Sequence, residues 1–177
     1  AATASARAAA APRGRLVVAD VRRPAFAAAM FDLVVSPSTL DHFEDPDDLG
    51  RSLAELRRAL RPGGRLIITL DNRSNLTDPL LRLVARLGLV PFPLGRSYRI
   101  AELRSALNAA GFQVLDETAI LHNPRLVAVG AITVVRRLRW RWLERRVQDL
   151  LLAAQGLERS RLRYLTGSFI AALAVPA

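Results

Sequence analysis

Polar clusters follow apolar runs at several points of this chain, and those clusters are where chemistry can be placed. They are Asp20 with Val21, Ser36-Pro37-Ser38, Leu40-Asp41-His42, Asp71-Asn72, Tyr98-Arg99 and His122. Carboxylates at such places accept hydrogen bonds from ligand N–H and O–H groups. An imidazole such as His42 can serve as a general base near neutral pH. In open α/β sheets, ligands bind outside the carboxyl ends of the strands. Plainer readings stand beside these. Asp20, Asp71 and Asn72 are also turn formers. Ser36 and Ser38 also suit a strand-to-helix loop with a serine cap. His42 also suits a structural loop, and Tyr98 a helix-start staple. The chain has no Cys, and its two histidines, His42 and His122, are far apart, so no metal-ligand spacing is present.

The elements that must hold these residues can be read from periodicity. Leu16–Ala19 and Phe31–Val35 read as short buried strands, the second apolar on both faces apart from Asp32. Asp41 to Asp48 is acidic and suits a helix start. Leu49, Leu53, Leu56 and Leu60 then form an amphipathic stripe, ended by Pro62-Gly-Gly. Arg65–Leu70 is a third strand. Helical periods recur over 80–87 and 98–110, with Pro91-Phe-Pro-Leu-Gly95 a loop and Gly111 a stop. Phe112–Ile120 is a strand. A long amphipathic helix runs from Leu138 to Ala154, and Gly167–Val175 is a last strand. Ala1–Ala11 reads as the end of a helix stopped by Pro12. Strands alternating with helices predict a mostly parallel, Rossmann-like α/β sheet with flanking helices.

Composition narrows the partners. The chain has 177 residues, and half are hydrophobic, enough for one domain with a real core. All 26 basic residues are Arg, and the net charge is +10. With so much Ala, this is a compositional bias rather than a phosphate-binding face, and nucleic acid is not the expected partner. Residues 124–177 carry 10 of the arginines against 3 acids. The Arg- and Trp-bearing stretch Val135–Arg146 reads either as a cap helix over a substrate site or as a surface segment for an anionic membrane. No signal-peptide pattern is seen, and the expected location is cytoplasmic.

Taken in order, Val18-Ala-Asp20, Phe31-Asp-Leu-Val-Val-Ser36, Leu40-Asp-His-Phe-Glu-Asp-Pro46, Leu56-Arg-Arg-Ala-Leu-Arg-Pro-Gly-Gly-Arg-Leu66 and Ala109-Ala-Gly-Phe112 resemble the class I S-adenosylmethionine-dependent methyltransferases. The resemblance implies a transferase that binds S-adenosyl-L-methionine and acts on a small-molecule, lipid-like or glycan acceptor. It implies that Asp20 accepts from the adenine amino group and that the Val21 amide faces the ring. Ser36, Pro37, Ser38 and Leu40 would line the cofactor. His42 would be a catalytic base. Asp71, Asn72, Tyr98, Arg99 and His122 would lie on the substrate side.

The resemblance also implies a missing part. The family's first strand ends in a Gly-rich loop, and its second ends in an acid for the ribose; this sequence has neither. Leu16–Ala19, Phe31–Val35 and Arg65–Leu70 then correspond to the family's third, fourth and fifth strands. The family order 3-2-1-4-5-7-6 would leave the third strand apart from the rest and an edge of the fourth exposed. The expectation is one partial domain over 1–177, truncated at its amino end and marginally stable alone. Residues 1–123 would form its cofactor-side core, 124–166 a helical cap and 167–177 the last strand. The rival readings are a non-catalytic remnant or interaction module, and a basic surface-binding module. A nicotinamide-dependent dehydrogenase lacks its Gly-x-Gly-x-x-Gly fingerprint here.

Overall fold

A computed structural model describes residues 16–24, 26–89, 94–122, 137 and 141–177. Its strands are β1 (Phe31–Pro37), β2 (Leu60–Asp71), β3 (Phe112–Ile120) and β4 (Phe169–Pro176). Its helices are α1 (Asp47–Ala59), α2 (Asp78–Arg86), α3 (Ile100–Ala109), α4 (Arg141–Ala154) and the short α5 (Arg163–Thr166), with a 3-10 turn at Gln155–Arg159.

The sheet order is β1-β2-β4-β3. β1 and β2 are parallel, and β4 is antiparallel to both β2 and β3. So β1, β2 and β3 run one way and only β4 is reversed. This is the fourth, fifth, seventh and sixth strand order that the resemblance implies. The expected strands Phe31–Val35, Phe112–Ile120 and Gly167–Val175 form within a residue or two of their expected ends.

The core lies on one face of the sheet. Leu66, Ile68 and Leu70 of β2, with Ile170, Ala172 and Ala174 of β4, are buried against Leu53 of α1 and Leu103 and Leu107 of α3. Each fully buried leucine contributes about 1.5–3 kcal/mol. Leu49, Leu53 and Leu56 of α1, spaced 4 and 3 apart, supply this face, and Asp47 and Asp48 meet the positive end of its dipole. Gly111, at φ +80°, turns the chain from α3 into β3, and its carbonyl accepts from Arg57 Nε at 2.9 Å. That bond fastens the end of α1 to the start of β3.

Three sequence expectations need correction. Leu16–Ala19 is not a strand: no described strand lies beside it, and Leu16, Val17 and Val18 are exposed. β1 is not buried on both faces, because Leu33 and Val35 point to the side where no described helix packs. Finally, Pro62-Gly-Gly does not end α1. The helix stops at Ala59, and Leu60 is already extended. The pairing then slips from Phe31↔Leu60 to Leu33↔Arg65, a bulge that absorbs Pro62, which has no N–H to give. The expected Ala1–Ala11 helix lies outside the described residues, as do 90–93 and most of 123–140.

Candidate functional site

The carboxyl ends of β1 and β2 lie side by side, and the loops leaving them are joined by one buried carboxylate. Asp41 is fully buried. Its Oδ2 accepts from the Asp71 backbone N–H at 2.9 Å and from the Ser38 hydroxyl at 3.1 Å. Its main-chain oxygen accepts from the Arg96 N–H at 2.5 Å. Three separate segments therefore converge on this residue. Its other oxygen, Oδ1, is buried with no hydrogen-bond partner, and the nearest cation-forming group is His42 Nε2 at 3.9 Å. A buried carboxylate oxygen without a donor is costly unless a ligand or neighbour supplies one.

The loop after β1 is built tightly. Ser36 is buried and pairs with Ile68. Pro37 ends the strand, where a missing donor does no harm at a sheet edge. Ser38 takes a left-handed conformation, φ +43°, and its N–H donates to both the carbonyl and the hydroxyl of Thr69. Leu40 drops into the core. His42 remains largely exposed beside Asp41. Gly95 is required opposite them: a Cβ there would lie 2.5 Å from the Asp41 carbonyl oxygen.

The second wall follows β2. Tyr98 forms a parallel bridge with Asn72: its N–H donates to the Asp71 carbonyl and its own carbonyl accepts from Arg73. Its phenol is half-buried, and burial is the main cause that pushes its pKa up; Arg96 opposes this and Asp41 adds to it. Asp71, Asn72, Tyr98, Ser38 and Asp41 are thus brought together. Arg99 is at the start of α3, where its N–H donates to Glu102 Oε2. Asn72 and Asn75 turn inward. Both side-chain amides donate to the Gly167 carbonyl at 2.8 Å, clamping the corner between α5 and β4.

Asp20 stands at a turn on the β1 side. Arg22 holds both of its carboxylate oxygens, at 2.7–3.1 Å, and reaches Asp48 at 2.8 Å with its other nitrogen. The guanidinium keeps the Asp20 carboxyl down at about 2. Arg22 also stacks over Phe43, and Val21 packs against the core. The Asp20 turn is thereby tied to the approach to α1. A ligand donor reaching Asp20 must share its oxygens with Arg22.

His122 is placed differently from the other candidates. It is buried at the end of β3, with Nδ1 2.8 Å from Thr166 Oγ1 and Nε2 2.8 Å from the Ala119 carbonyl. Both ring nitrogens are committed to the fold. Among the described residues, no cluster of His, Cys, Asp or Glu has metal-site geometry.

Asp41 is the residue that sequence reasoning missed as a hub. It was grouped with the acidic run 41–48 as part of a helix start, yet the helix begins only at Asp47. The available signal was its position directly after Leu40, whose burial drags the following carboxylate inward.

Comparison with known proteins agrees with the fold. A family model described as "Methyltransferase domain" matches residues 1–68. A ubiquinone biosynthesis O-methyltransferase of Sinorhizobium fredii is 31% identical over 99 residues, covering 53% of this chain and 39% of the relative. The chain therefore spans well under half the length of that curated relative. An S-adenosylmethionine-dependent methyltransferase from Mesorhizobium loti superposes with a TM-score of 0.59 at 18% identity, over 97% of this chain and 74% of the other. A possible histamine N-methyltransferase from Thermotoga maritima gives 0.55 at 16% identity, over 90% and 62%. The family model over its first part, a sequence relative across half its length and the β1-β2-β4-β3 sheet make this chain similar to the S-adenosylmethionine-dependent methyltransferases in sequence and in fold.

Proposed function

We propose that this chain belongs to a methyltransferase domain that transfers a methyl group from S-adenosylmethionine to a small-molecule acceptor. The observation that carries the reading is the convergence of the β1 and β2 carboxyl ends on Asp41, at the place where open α/β sheets bind ligands. When bound, the cofactor supplies a methyl group already activated by its sulfonium. The protein's work is then positioning, with a base where the acceptor must lose a proton.

The residues present fit the adenine end of that cofactor. Asp20 offers an exposed carboxylate for an exocyclic amino group, and the adjoining Val21 amide offers a donor for a ring nitrogen. Ser36, Pro37 and Ser38 would line the bound cofactor, and Leu40, buried in the core, would hold that loop in place. On the acceptor side, Asp71, Tyr98 and Arg99 border the crevice, and Asn72 holds its rim rather than touching substrate. His42 is the base nearest the crevice, next to the free oxygen of Asp41. The segment 124–166, of which residues 137 and 141–166 are described, lies between β3 and β4 in sequence, where a cap over the acceptor would be placed. A lipid-like or glycan acceptor agrees with the apolar and arginine-rich surfaces of the carboxyl-terminal part.

Isothermal titration with S-adenosylmethionine and S-adenosylhomocysteine tests the reading. Dissociation constants in the micromolar range are expected; no heat at millimolar ligand would favour a remnant without cofactor function.

A further inference from the structure

Helix α2 turns most of its leucines outward. Leu76, Leu80, Leu83 and Leu87 are 72%, 57%, 54% and 65% exposed, whereas Leu81 is the one residue of the helix that is buried. At about 100° per residue, Leu80 and Leu83 of α2 and Leu87 at its C-cap fall within roughly 60° of one another, and Leu76 lies in the turn before the helix. The leucine face of α1 turns into the core, whereas this one faces away from the protein.

The patch continues onto α5. The Leu76 N–H donates to the Leu165 carbonyl at 2.9 Å, and Leu165 and Leu162 are themselves exposed. The surrounding charge is mostly positive, with Glu158 an exposed acid on the 3-10 turn before Leu162. Asp78, the single acid between residues 76 and 96, is already paired with Arg82 at 2.9 Å. Arg86 and Arg161 are exposed at the margin of the leucines, with no ion pair among the described residues. The patch also has a defined place. It starts four residues beyond Asn72, and the Asn75 amide anchors that turn to the Thr166 and Gly167 carbonyls. The leucine face therefore rises close to the carboxyl end of β2.

We propose that this face is a docking surface for an anionic lipid bilayer, lying in its interface. Leucines along one helix face with arginines at the edge suit acyl chains below and anionic headgroups beside them. A second copy of this chain fits less well. Packing two such faces together would bring the excess arginines of both copies, Arg86 and Arg161 among them, to one seam, with the exposed Glu158 too little acid to balance them. Among the described residues no helix is long and apolar enough to cross a membrane, so the contact is interfacial. The docking stands whether or not methyl transfer occurs. Where the proposed function also holds, docking sets the crevice against the membrane and selects a lipid-dissolved acceptor.

Co-sedimentation of the full chain with phosphatidylcholine vesicles containing about a third phosphatidylglycerol tests this. The chain should bind these vesicles, bind pure phosphatidylcholine more weakly, and lose affinity as salt is raised to about 0.5 M. The double variant Leu80→Asp/Leu83→Asp should keep its circular dichroism spectrum and bind at least about tenfold more weakly. Arg86→Glu leaves the leucines in place and should weaken binding to anionic vesicles only, which decides the matter if the double variant misfolds. The proposal is overturned if the parent chain does not sediment with anionic vesicles, or if the folded variants bind as the parent does. It is equally overturned if the leucine variant splits a dimer while vesicle binding is unchanged.

Discussion

The buried carboxylate of Asp41 accepts the backbone N–H of Asp71 at 2.9 Å, so the ends of two neighbouring parallel strands share one anion. The same oxygen takes the Ser38 hydroxyl, and the Asp41 carbonyl takes the Arg96 amide. The loops leaving the two strands are joined through this one residue.

Removing that carboxylate should unlock the site. Asp41→Ala leaves the Asp71 N–H and the Ser38 hydroxyl without their acceptor and should cost about 2–4 kcal/mol of stability. Urea unfolding at neutral pH reads this directly. Asp41→Asn keeps an acceptor oxygen and should lose roughly half as much. A loss under about 0.5 kcal/mol for the alanine variant would mean that water replaces the carboxylate without cost.

Gly95→Ala adds a Cβ placed 2.5 Å from the Asp41 carbonyl oxygen, which is backbone and cannot swing aside. The 95–98 segment must move, breaking the Arg96 N–H bond to Asp41. The expected destabilisation is about 1–3 kcal/mol, with ligand binding reduced in parallel. A variant as stable as the parent would show that this segment is free to shift.

The Asp20–Arg22 pair carries a pH signature. Asp20 sits at about 2 in the folded chain against an ordinary 3.8, chiefly through the Arg22 hydrogen bonds. A carboxyl lowered on folding lends stability that is fully present above its unfolded value. That stability fades as pH falls from about 4 toward 2. Arg22→Gln should bring the Asp20 carboxyl resonance to a midpoint near 4 in a carbon-detected NMR titration. An unmoved midpoint would remove Arg22 as the cause.

The two faces of the sheet should answer mutation in opposite ways. Ile68→Ala opens a cavity on the packed face and should cost about 2–5 kcal/mol. Val35→Lys, on the open face of the edge strand β1, should change stability by less than about 0.5 kcal/mol and suppress aggregation on heating, measured by light scattering. Equal penalties at the two positions would show that something covers the β1 side.

How far the sequence carried the reading depended on where packing partners lie. α1, α3, β3 and β4 were legible because their apolar periods meet partners inside the described residues. Leu16–Ala19 has the composition of a strand, but pairing, not composition, makes a strand, and no described neighbour offers it a ladder. Phe31–Val35 was identified, yet its second face stays open for the same reason. Pro62 was read as a helix stop, although a bulge let β2 run straight through it. At the site, the Ser38, Tyr98 and Asp71 positions were readable as strand-end and loop residues. The inward turn of Asp41, the clamp made by Asn72 and the committed ring of His122 were not, because each depends on a group distant in sequence: the Asp71 amide, the Gly167 carbonyl and the Thr166 hydroxyl.

Residue-resolved NMR with S-adenosylhomocysteine puts the central claim to its most direct test. The account predicts that saturating ligand shifts the backbone amides of Asp20, Val21, Ser36, Ser38 and Asp71, while those of His122 and the Gly167 corner stay in place. Spectra that do not change, or shifts confined to residues far from the β1 and β2 carboxyl ends, would contradict it.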